Sequence, residues 1–290
     1  MSDDLGEVDA QVAGDHVPGG HVSGDHVSGD DAPGHHAPGH HVLPTAERQD
    51  RYIATPEQTD ILLRAATWNR YAALGDSMAE GILEPLDGYD PTCWADRIAA
   101  ALRRVRPGLA YLNTGRRGQL STEVRETQLG KVLDFGPDLV TVVCGGNDIL
   151  APAFDADVYR ENLDAMVGAL AGAGATIFLY SLMDITAGLP ELAGIRPRLE
   201  QLNDATHQIA RGYGTIWVEL WAHPAAGDRD AYSSDRMHMS ARGHGLIATR
   251  TIEELGHHLE TGRTRPGETT ETTETTGIVE AVALVSQDAG

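Results

Sequence analysis

The chain has little of several features that would each indicate a particular class of protein. Only two of its 290 residues are cysteines, Cys93 and Cys144, so no disulfide framework is implied and a reducing compartment fits. No apolar run approaches the length of about 18 residues that a transmembrane helix needs. Basic residues number 22 against 43 acidic ones, a formal net charge of −21. Such a chain should repel nucleic-acid phosphates and anionic membrane surfaces.

Two further shortages concern the beginning of the chain and its aromatic content. The acidic start Met1-Ser2-Asp3-Asp4 lacks the apolar core of a secretory signal, so we expect a cytoplasmic protein. Aromatic residues make up only 5% of the chain, which disfavours a large aromatic-lined lipid pocket. Hydrophobic residues make up 41%, enough for one sizeable core or two small ones.

Both ends of the chain have a biased composition. Residues 14–43 form a degenerate five-residue repeat rich in glycine, proline and histidine, and residues 266–276 repeat Glu-Thr-Thr. Neither segment has enough apolar surface to offset the entropy of ordering. We therefore predict disordered tails over residues 1–54 and 263–290, around one ordered domain over residues 55–262.

The first tail contains seven histidines: His16, His21, His26, His35, His36, His40 and His41. They could bind zinc, nickel or copper weakly at several sites, although a solvated low-complexity segment is the favoured interpretation. Without an ordered shell around such a site, the sequence gives no reason to propose a catalytic metal. We predict no cofactor.

The middle of the chain alternates strand and helix patterns. Thr55-Pro56-Glu57-Gln58 is a helix start, with a capping box and proline at the first helical position. The predicted strands are Arg70–Leu74, Ala110–Asn113, Leu139–Cys144, Thr176–Tyr180 and Thr215–Glu219. The predicted helices are Pro91–Val105, Ser121–Leu133, Val158–Ala173, Leu192–Arg211 and Ser240–Leu259. This order predicts an α/β fold with three αβα layers, a doubly wound, flavodoxin-like parallel sheet of five strands.

Polar, glycine-rich clusters follow four of the five predicted strands. They are Gly75-Asp76-Ser77, Asn113-Thr114-Gly115-Arg116-Arg117-Gly118, Gly145-Gly146-Asn147-Asp148 and Asp235-Arg236-Met237-His238. In a parallel sheet of this kind, ligands bind at the carboxyl ends of the strands, near the point where the strand order reverses. These four clusters, distant along the chain, should therefore converge in one crevice.

Acyl transfer is the chemistry that these clusters could share. A serine hydroxyl is a poor nucleophile until a base removes its proton, and a histidine held by a carboxylate does this best. Ser77, His238 and Asp235 are candidates for these three roles. The attacked carbonyl then needs preorganised donors, which the N–H groups of Ser77 and Gly118 and the amide of Asn147 could supply.

In their order along the chain, Gly-Asp-Ser, a glycine after the second strand, Gly-Gly-Asn-Asp and Asp-x-x-His resemble the SGNH (GDSL-type) hydrolase superfamily. The resemblance spans roughly residues 70–255 and implies the SGNH hydrolase fold. It also implies a triad of Ser77, Asp235 and His238, and an oxyanion hole of Ser77, Gly118 and Asn147. Gly115 and Gly118 both fit the oxyanion glycine, and the resemblance favours Gly118, which follows the Asn113 loop at the offset usual in the family.

Two residues beside these positions could support the site. Asp76 could hold the nucleophile loop by hydrogen bonds, although an ordinary Asx-turn fits equally well. Gly146, beside Asn147, is the second supporting position.

Three functions remain open from the sequence. The first is a serine esterase that acts through an acyl-enzyme on a small-molecule or glycan ester, as an esterase, lipase or carbohydrate-ester deacylase. The second is an acyltransferase on the same site, since the triad does not separate transfer from hydrolysis. The third is a non-catalytic interaction protein that acts through its tails. We expect a monomer with no nucleic-acid partner and no membrane span.

Overall fold

The computed structural model describes residues 43–262, and its central feature is a five-stranded parallel sheet. The strands of this sheet are β1 (Arg70–Gly75), β3 (Ala110–Asn113), β4 (Leu139–Val143), β5 (Thr176–Tyr180) and β6 (Ile216–Val218). They lie in the order β3-β1-β4-β5-β6, and every neighbouring pair is parallel. The predicted doubly wound sheet is confirmed. Two-residue strands β2 (Leu83–Glu84) and β7 (Met239–Ser240) form a separate parallel pair.

Helices cover both faces of the sheet. They are α1 (Thr45–Gln49), α2 (Pro56–Leu63), α3 (Ser77–Glu80), α4 (Trp94–Val105), α5 (Ser121–Thr127), α6 (Leu129–Phe135), α7 (Gly146–Leu150), α8 (Ala156–Gly172), α9 (Ile185–Gly188), α10 (Arg196–Tyr213) and α11 (Ala241–Thr261). Short 3₁₀ turns occupy Pro190–Ile195, Pro224–Gly227 and Arg229–Ala231. None of the helices in the described residues is long and apolar enough to cross a membrane.

The three layers follow from the alternation of side chains along each strand. Tyr71 and Ala73 of β1 face the cluster that contains the buried residues of α2, α4 and α11. Ala72 and Leu74 face the opposite cluster, which contains the buried residues of α5, α6, α8 and α10. Because both faces of β1 are covered, every residue of this strand after Arg70 is buried, as is usual for parallel strands.

Two predicted helices begin later than the sequence indicated. The helix predicted from Pro91 begins at Trp94, because the side chain of Arg97 donates hydrogen bonds to the carbonyls of Asp90 and Thr92 and holds that stretch outside the helix. The helix predicted from Leu192 begins at Arg196, after a 3₁₀ turn. Proline in the first helical turn, where its missing N–H does no harm, is typical of such a start.

The helix predicted over residues 121–133 is two helices instead of one. Helix α5 ends at Thr127 and α6 begins at Leu129, with Gln128 between them. The side chain of Gln128 is buried and binds the backbone of Gly75, 53 residues away along the chain. This tertiary contact coincides with the break in the helix.

The folded unit begins earlier than the predicted boundary at residue 55. Helix α1 lies within the predicted tail, and the side chain of Glu47 is fully buried against Arg97, which donates to it from both terminal nitrogens. Residues 43–54 therefore belong with the domain. The capping box at Thr55 and Gln58 is confirmed, with both of its hydrogen bonds present. The tails predicted for residues 1–42 and 263–290 lie outside the described residues.

The topology defines where a site should form. The chain passes from β1 to β3 on one side of the sheet and later enters β4 on the other side of β1. The strand order therefore reverses at β1, and a crevice opens beyond the carboxyl ends of β1 and β4. Ser77 follows β1 directly, and Gly146 begins the helix that follows β4.

Candidate active site

The loop that carries Ser77 depends on a glycine two residues earlier. Gly75 has a φ of 147°, and a Cβ atom placed there would lie 1.7 Å from the carbonyl oxygen of Val143. Only glycine fits this close approach of the chain to the end of β4. The turn continues into α3, and its first residue, Ser77, is half-buried at the crevice.

Asp76 is buried and joins the loops that follow β1 and β4. Its Oδ1 accepts from the N–H of Met78 at 3.0 Å, and its Oδ2 accepts from the N–H of Gly146 at 3.2 Å. The first bond caps the short helix that Ser77 begins. Burial raises the pKa of Asp76 to about 6, against the lowering effect of these two hydrogen bonds. The side chain of Asp76 thus connects the two loops predicted from the sequence, although its burial disfavours the charged form of the carboxyl group.

Asp76→Asn should remove a pH-dependent part of the stability. Since the folded pKa of about 6 lies above the ordinary aspartate value of 3.8, the folded chain keeps a proton that the unfolded chain loses between these two pH values. Wild-type stability relative to Asp76→Asn should therefore fall by on the order of 2–3 kcal/mol between pH 4 and pH 6, then stay constant. Denaturant unfolding of both proteins at each pH measures this difference. The exposed Asp134→Asn is the control, and a difference for Asp76→Asn that does not change with pH would contradict the prediction.

Asp235 and His238 form a closed turn. His238 Nδ1 lies 2.6 Å from Asp235 Oδ2, and Asp235 Oδ1 accepts from the N–H groups of Met237 and His238. Arg236 adopts a φ of 60° in this turn. Among the described residues, it is the only non-glycine residue with a positive φ. With Nδ1–H donated to the carboxylate, Nε2 is the nitrogen left to accept a proton.

The Asp235 carboxylate is held in its ionised form. Burial alone would raise its pKa, but hydrogen bonds from His238 and Ser233 outweigh this and hold the pKa well below its usual value of 3.8. Ser233 was not predicted from the sequence, although it donates to Asp235 Oδ1 and, more weakly, to the carbonyl of His238. A charged carboxylate beside the imidazole would stabilise the imidazolium that forms when the histidine accepts a proton.

The serine and histidine loops are joined just beyond their functional residues. Leu83 of β2 pairs with Met239 of β7, the residue after His238. In addition, Glu84 Oε2 accepts from the N–H of Ser234 at 2.7 Å and from its hydroxyl at 2.6 Å. This pairing fixes the register between two loops that are more than 150 residues apart along the chain.

His244 makes a second connection beneath the serine loop. Its Nδ1 accepts from the N–H of Trp94 at 3.1 Å, and its Nε2 lies 3.0 Å from the carbonyl of Ile82 as donor. The ring is fully buried, and this burial lowers its pKa to about 4. A neutral ring suits both bonds, because one nitrogen must accept and the other donate.

The predicted oxyanion residues differ in how their N–H donors are used by the protein itself. Asn147 follows β4 and donates from its side-chain amide to the carbonyl of Gln119 at 2.9 Å, which leaves one amide hydrogen for a ligand. Gly118 has a φ of 77°, and no described residue accepts from its N–H or from that of Ser77. By contrast, the N–H of Gly115 is used by Asn113 Oδ1. Of the two glycines that the sequence left open, Gly118 is the one with an available donor.

Gln128 connects the serine turn to the second loop and was not predicted from the sequence. Its Oε1 accepts from the N–H of Gly75 at 2.9 Å, and its Nε2 donates to the carbonyl of the same residue at 2.7 Å. The Nε2 also donates to Gln119 Oε1 at 2.5 Å. Since the carbonyl of Gln119 binds Asn147, one chain of hydrogen bonds runs from the serine turn to the asparagine.

Gln128→Leu should lower kcat by about 10- to 100-fold with little change in KM, because small displacements of reacting groups are costly. Gln128→Glu should behave similarly, since a carboxylate cannot donate to the carbonyl of Gly75. In Gln128→Leu, the unpaired N–H of Gly75 should also lower the free energy of unfolding by about 1–3 kcal/mol. Steady-state kinetics and denaturant unfolding measure both effects. Gln201→Leu, at an exposed position of α10, is the matched control. An unchanged kcat in both Gln128 variants would show that the hydrogen bonds between Gln128 and Gly75 do not position Ser77.

The predicted triad and Asn147 open onto one cavity of about 400 Å³. Its wall includes Ser77, Asn147, Asp235 and His238. Gly118 is not among the described residues that line it. Cys144 is buried beside this region, and burial raises the pKa of its thiol well above the usual value, so it is a poor nucleophile. Within residues 43–262 no group of three or more histidine, cysteine or acidic side chains is placed to hold a metal.

The sheet order, the serine turn at its reversal point and the Asp-x-x-His turn beside it define an SGNH hydrolase. A family model described as the GDSL-like Lipase/Acylhydrolase family matches residues 73–246, more than half of the chain. The chain therefore belongs to this family of hydrolases, and the resemblance stated from the sequence is confirmed.

Solved structures with the same fold are also esterases or hydrolases. An acetylxylan esterase from Geobacillus stearothermophilus, Axe2, aligns with a TM-score of 0.55 and 21% identity over 65% of this chain and 94% of its own. LAE5, an alpha/beta hydrolase enzyme from the metagenome of Lake Arreo, Spain, aligns with a TM-score of 0.55 and 19% identity over 66% and 96%. A comparison with curated proteins finds no match. At these identities the structural likeness establishes the fold.

Proposed function

We propose that the protein is a serine ester hydrolase that acts through an acyl-enzyme formed on Ser77. The observation that carries this proposal is the 2.6 Å contact between Asp235 and His238, on the wall of the same cavity as Ser77. A histidine held in one tautomer beside a serine is what nucleophilic acyl transfer requires. Membership of an acylhydrolase family supports the same reaction.

The steps follow from the placement of these groups. His238 Nε2 takes the proton of Ser77 as the hydroxyl oxygen attacks the ester carbonyl, and a tetrahedral intermediate forms. The N–H of Ser77 and the free amide hydrogen of Asn147 stabilise its oxyanion, and the N–H of Gly118, which lies outside the cavity wall, is the third candidate donor. The protonated His238 then gives its proton to the departing alcohol. Water, activated by the same histidine, attacks the acyl-enzyme and releases the acid.

Labelling with a fluorophosphonate probe and a panel of p-nitrophenyl esters tests this proposal. The wild type should gain the mass of one phosphonyl group on the peptide that contains Ser77, and it should hydrolyse at least part of the panel. Heat-unfolded protein is the control for non-specific labelling. Neither labelling nor turnover from folded protein would refute the proposal.

The alcohol half of the substrate is a separate matter. Axe2 is described as an acetylxylan esterase, which makes acetylated carbohydrates one class of ester to include in the panel. An acyl-enzyme would also serve transfer to a sugar or alcohol acceptor. Product analysis with such an acceptor present distinguishes transfer from hydrolysis, because only transfer yields a new ester.

A further inference from the structure

Polar and aliphatic side chains occupy different parts of the cavity wall. Its charged and amide side chains all come from the three loops that carry the proposed catalytic groups; they are Asp76, Asn147, Asp235, Arg236 and His238. Most of the remaining wall is aliphatic. Six aliphatic residues come from one segment between β5 and the first turns of α10: Leu182, Met183, Ile185, Leu192, Ile195 and Leu199.

The hydroxyl groups of both tyrosines on this wall already have a hydrogen-bond partner within the protein. The hydroxyl of Tyr180 accepts from Thr251, and that of Tyr232 donates to the carbonyl of Ala226 at 2.6 Å. A sugar ring bound here would bring several hydroxyl groups that need partners, and unpaired buried hydroxyls are costly. Beyond the catalytic loops, this wall is suited to a hydrocarbon chain rather than to a sugar.

In the proposed reaction, the alcohol and the acyl group of the ester occupy different sides of the cavity. The alcohol must leave beside His238, which protonates it. On the wall, His238 follows Arg236, which is exposed, and Met237, which is 54% exposed, whereas Met239 after it is buried; the side formed by Arg236 and Met237 is open to water. The deeper wall includes the buried side chains of Trp94 and Ile247. This leaves for the acyl chain the aliphatic part of the cavity, where Met183 and Leu199 are buried and the other four residues of the segment are half-buried.

We propose that the cavity is an acyl pocket for a medium-chain aliphatic carboxylic ester, with the Leu182–Leu199 segment as its specificity-determining wall. The proposal rests on the function proposed above. A volume of about 400 Å³ lies near the lower end of the range for small-ligand pockets, and we assign it a chain of roughly six to ten carbons. An acetyl group would leave most of this apolar surface without contact.

A chain-length series of p-nitrophenyl esters from acetate to dodecanoate tests the acyl pocket. The wild type should show kcat/KM rising about two- to fourfold per methylene up to octanoate or decanoate, because each buried methylene adds binding in the transition state. Leu192→Trp and Ile185→Trp should fill the pocket. Each should lower the octanoate-to-acetate ratio of kcat/KM at least tenfold.

A matched control and a second ester series make these results decisive. Leu133→Trp places the same bulk on a half-buried leucine of α6 outside the cavity wall, and it should leave the ratio unchanged. In a series of alkyl acetates, rates should not rise with the length of the alcohol. A wild type that prefers acetate, or a rise only in the alkyl acetate series, overturns the acyl pocket while ester hydrolysis stands.

Binding to the Ser77→Ala variant tests the acyl pocket independently of ester hydrolysis. Octanamide should bind this variant at least tenfold more tightly than acetamide, measured by calorimetry or by the shift in Tm. If no ester is hydrolysed and no probe labels the wild type, hydrolysis fails, and this measurement alone decides the pocket. Equal binding of the two amides overturns it.

Discussion

Ser77→Ala should lower kcat on any ester that the wild type hydrolyses by at least about 10⁴-fold and abolish fluorophosphonate labelling. Among the described residues that line this cavity, Ser77 is the one nucleophile that the proposed reaction uses, and the nearby thiol of Cys144 is buried and held in its neutral form. The hydroxyl of Ser77 makes no hydrogen bond to another described residue, so its loss should leave Tm within about 2 °C of the wild type. Stopped assays on purified, folded variant measure both quantities.

The other two members of the proposed triad should give graded losses. His238→Ala should lower kcat about as much as Ser77→Ala does, since the two groups act as one unit and their effects are not additive. Asp235→Asn should cost about 10²- to 10⁴-fold, because the asparagine no longer stabilises the imidazolium. His207→Ala, on α10 and stacked on Trp217, is the control. Full activity in Ser77→Ala would rule out the acyl-enzyme, and full activity in His238→Ala would rule out its base.

Glu47→Ala should be the most destabilising of the substitutions considered for the fold, at about 3–5 kcal/mol. Glu47 is fully buried, and its carboxylate accepts from both terminal nitrogens of Arg97 and from the N–H of Asp90 at 2.6 Å. Removing the carboxylate leaves the guanidinium of Arg97, only 12% exposed, without its partner charge. Denaturant unfolding of the full chain measures the loss, which corresponds to roughly 6–20 °C in Tm for a domain of this size.

Two comparisons make this result specific to the buried pair. Glu126→Ala, on an exposed face of α5, should change the free energy of unfolding by less than about 0.5 kcal/mol. A chain that begins at residue 43 should keep the wild-type stability of the domain, whereas one that begins at residue 55 should lose as much as Glu47→Ala or more. If the chain that begins at residue 55 is as stable as the full chain, α1 contributes nothing to the fold.

The sequence indicated the sheet and its functional edge well, because hydrophobic patterning reports burial directly. The run Leu139–Cys144 is apolar at nearly every position, as a strand covered on both faces must be. Ser77, Asn147, Asp235 and His238 were all found because each directly follows a strand or precedes a helix of this pattern. The structure brings these four side chains to one cavity. Their catalytic roles stay a prediction until the variants are measured.

Two of the residues that sequence reasoning missed share a physical property. Gln128 and Glu47 are polar, and a polar residue in a short amphipathic helix is usually assigned to the solvated face. Each is nevertheless buried, because a partner 50 or more residues away satisfies its hydrogen bonds: Gly75 for Gln128 and Arg97 for Glu47. A buried polar group is tolerated only with such a partner, and no local pattern reveals one.

The sequence by itself therefore determined the αβα architecture, the edge of the sheet where a site could form and the residue types that converge there. It could do so because strand alternation, helix capping and the parallel order are local or nearly local properties. The tertiary structure alone decided that α1 joins the domain, that Gln128 binds the serine turn and that the loops with the proposed catalytic residues border a largely apolar cavity. These features depend on contacts between distant segments, whose energies exist only once the chain has folded.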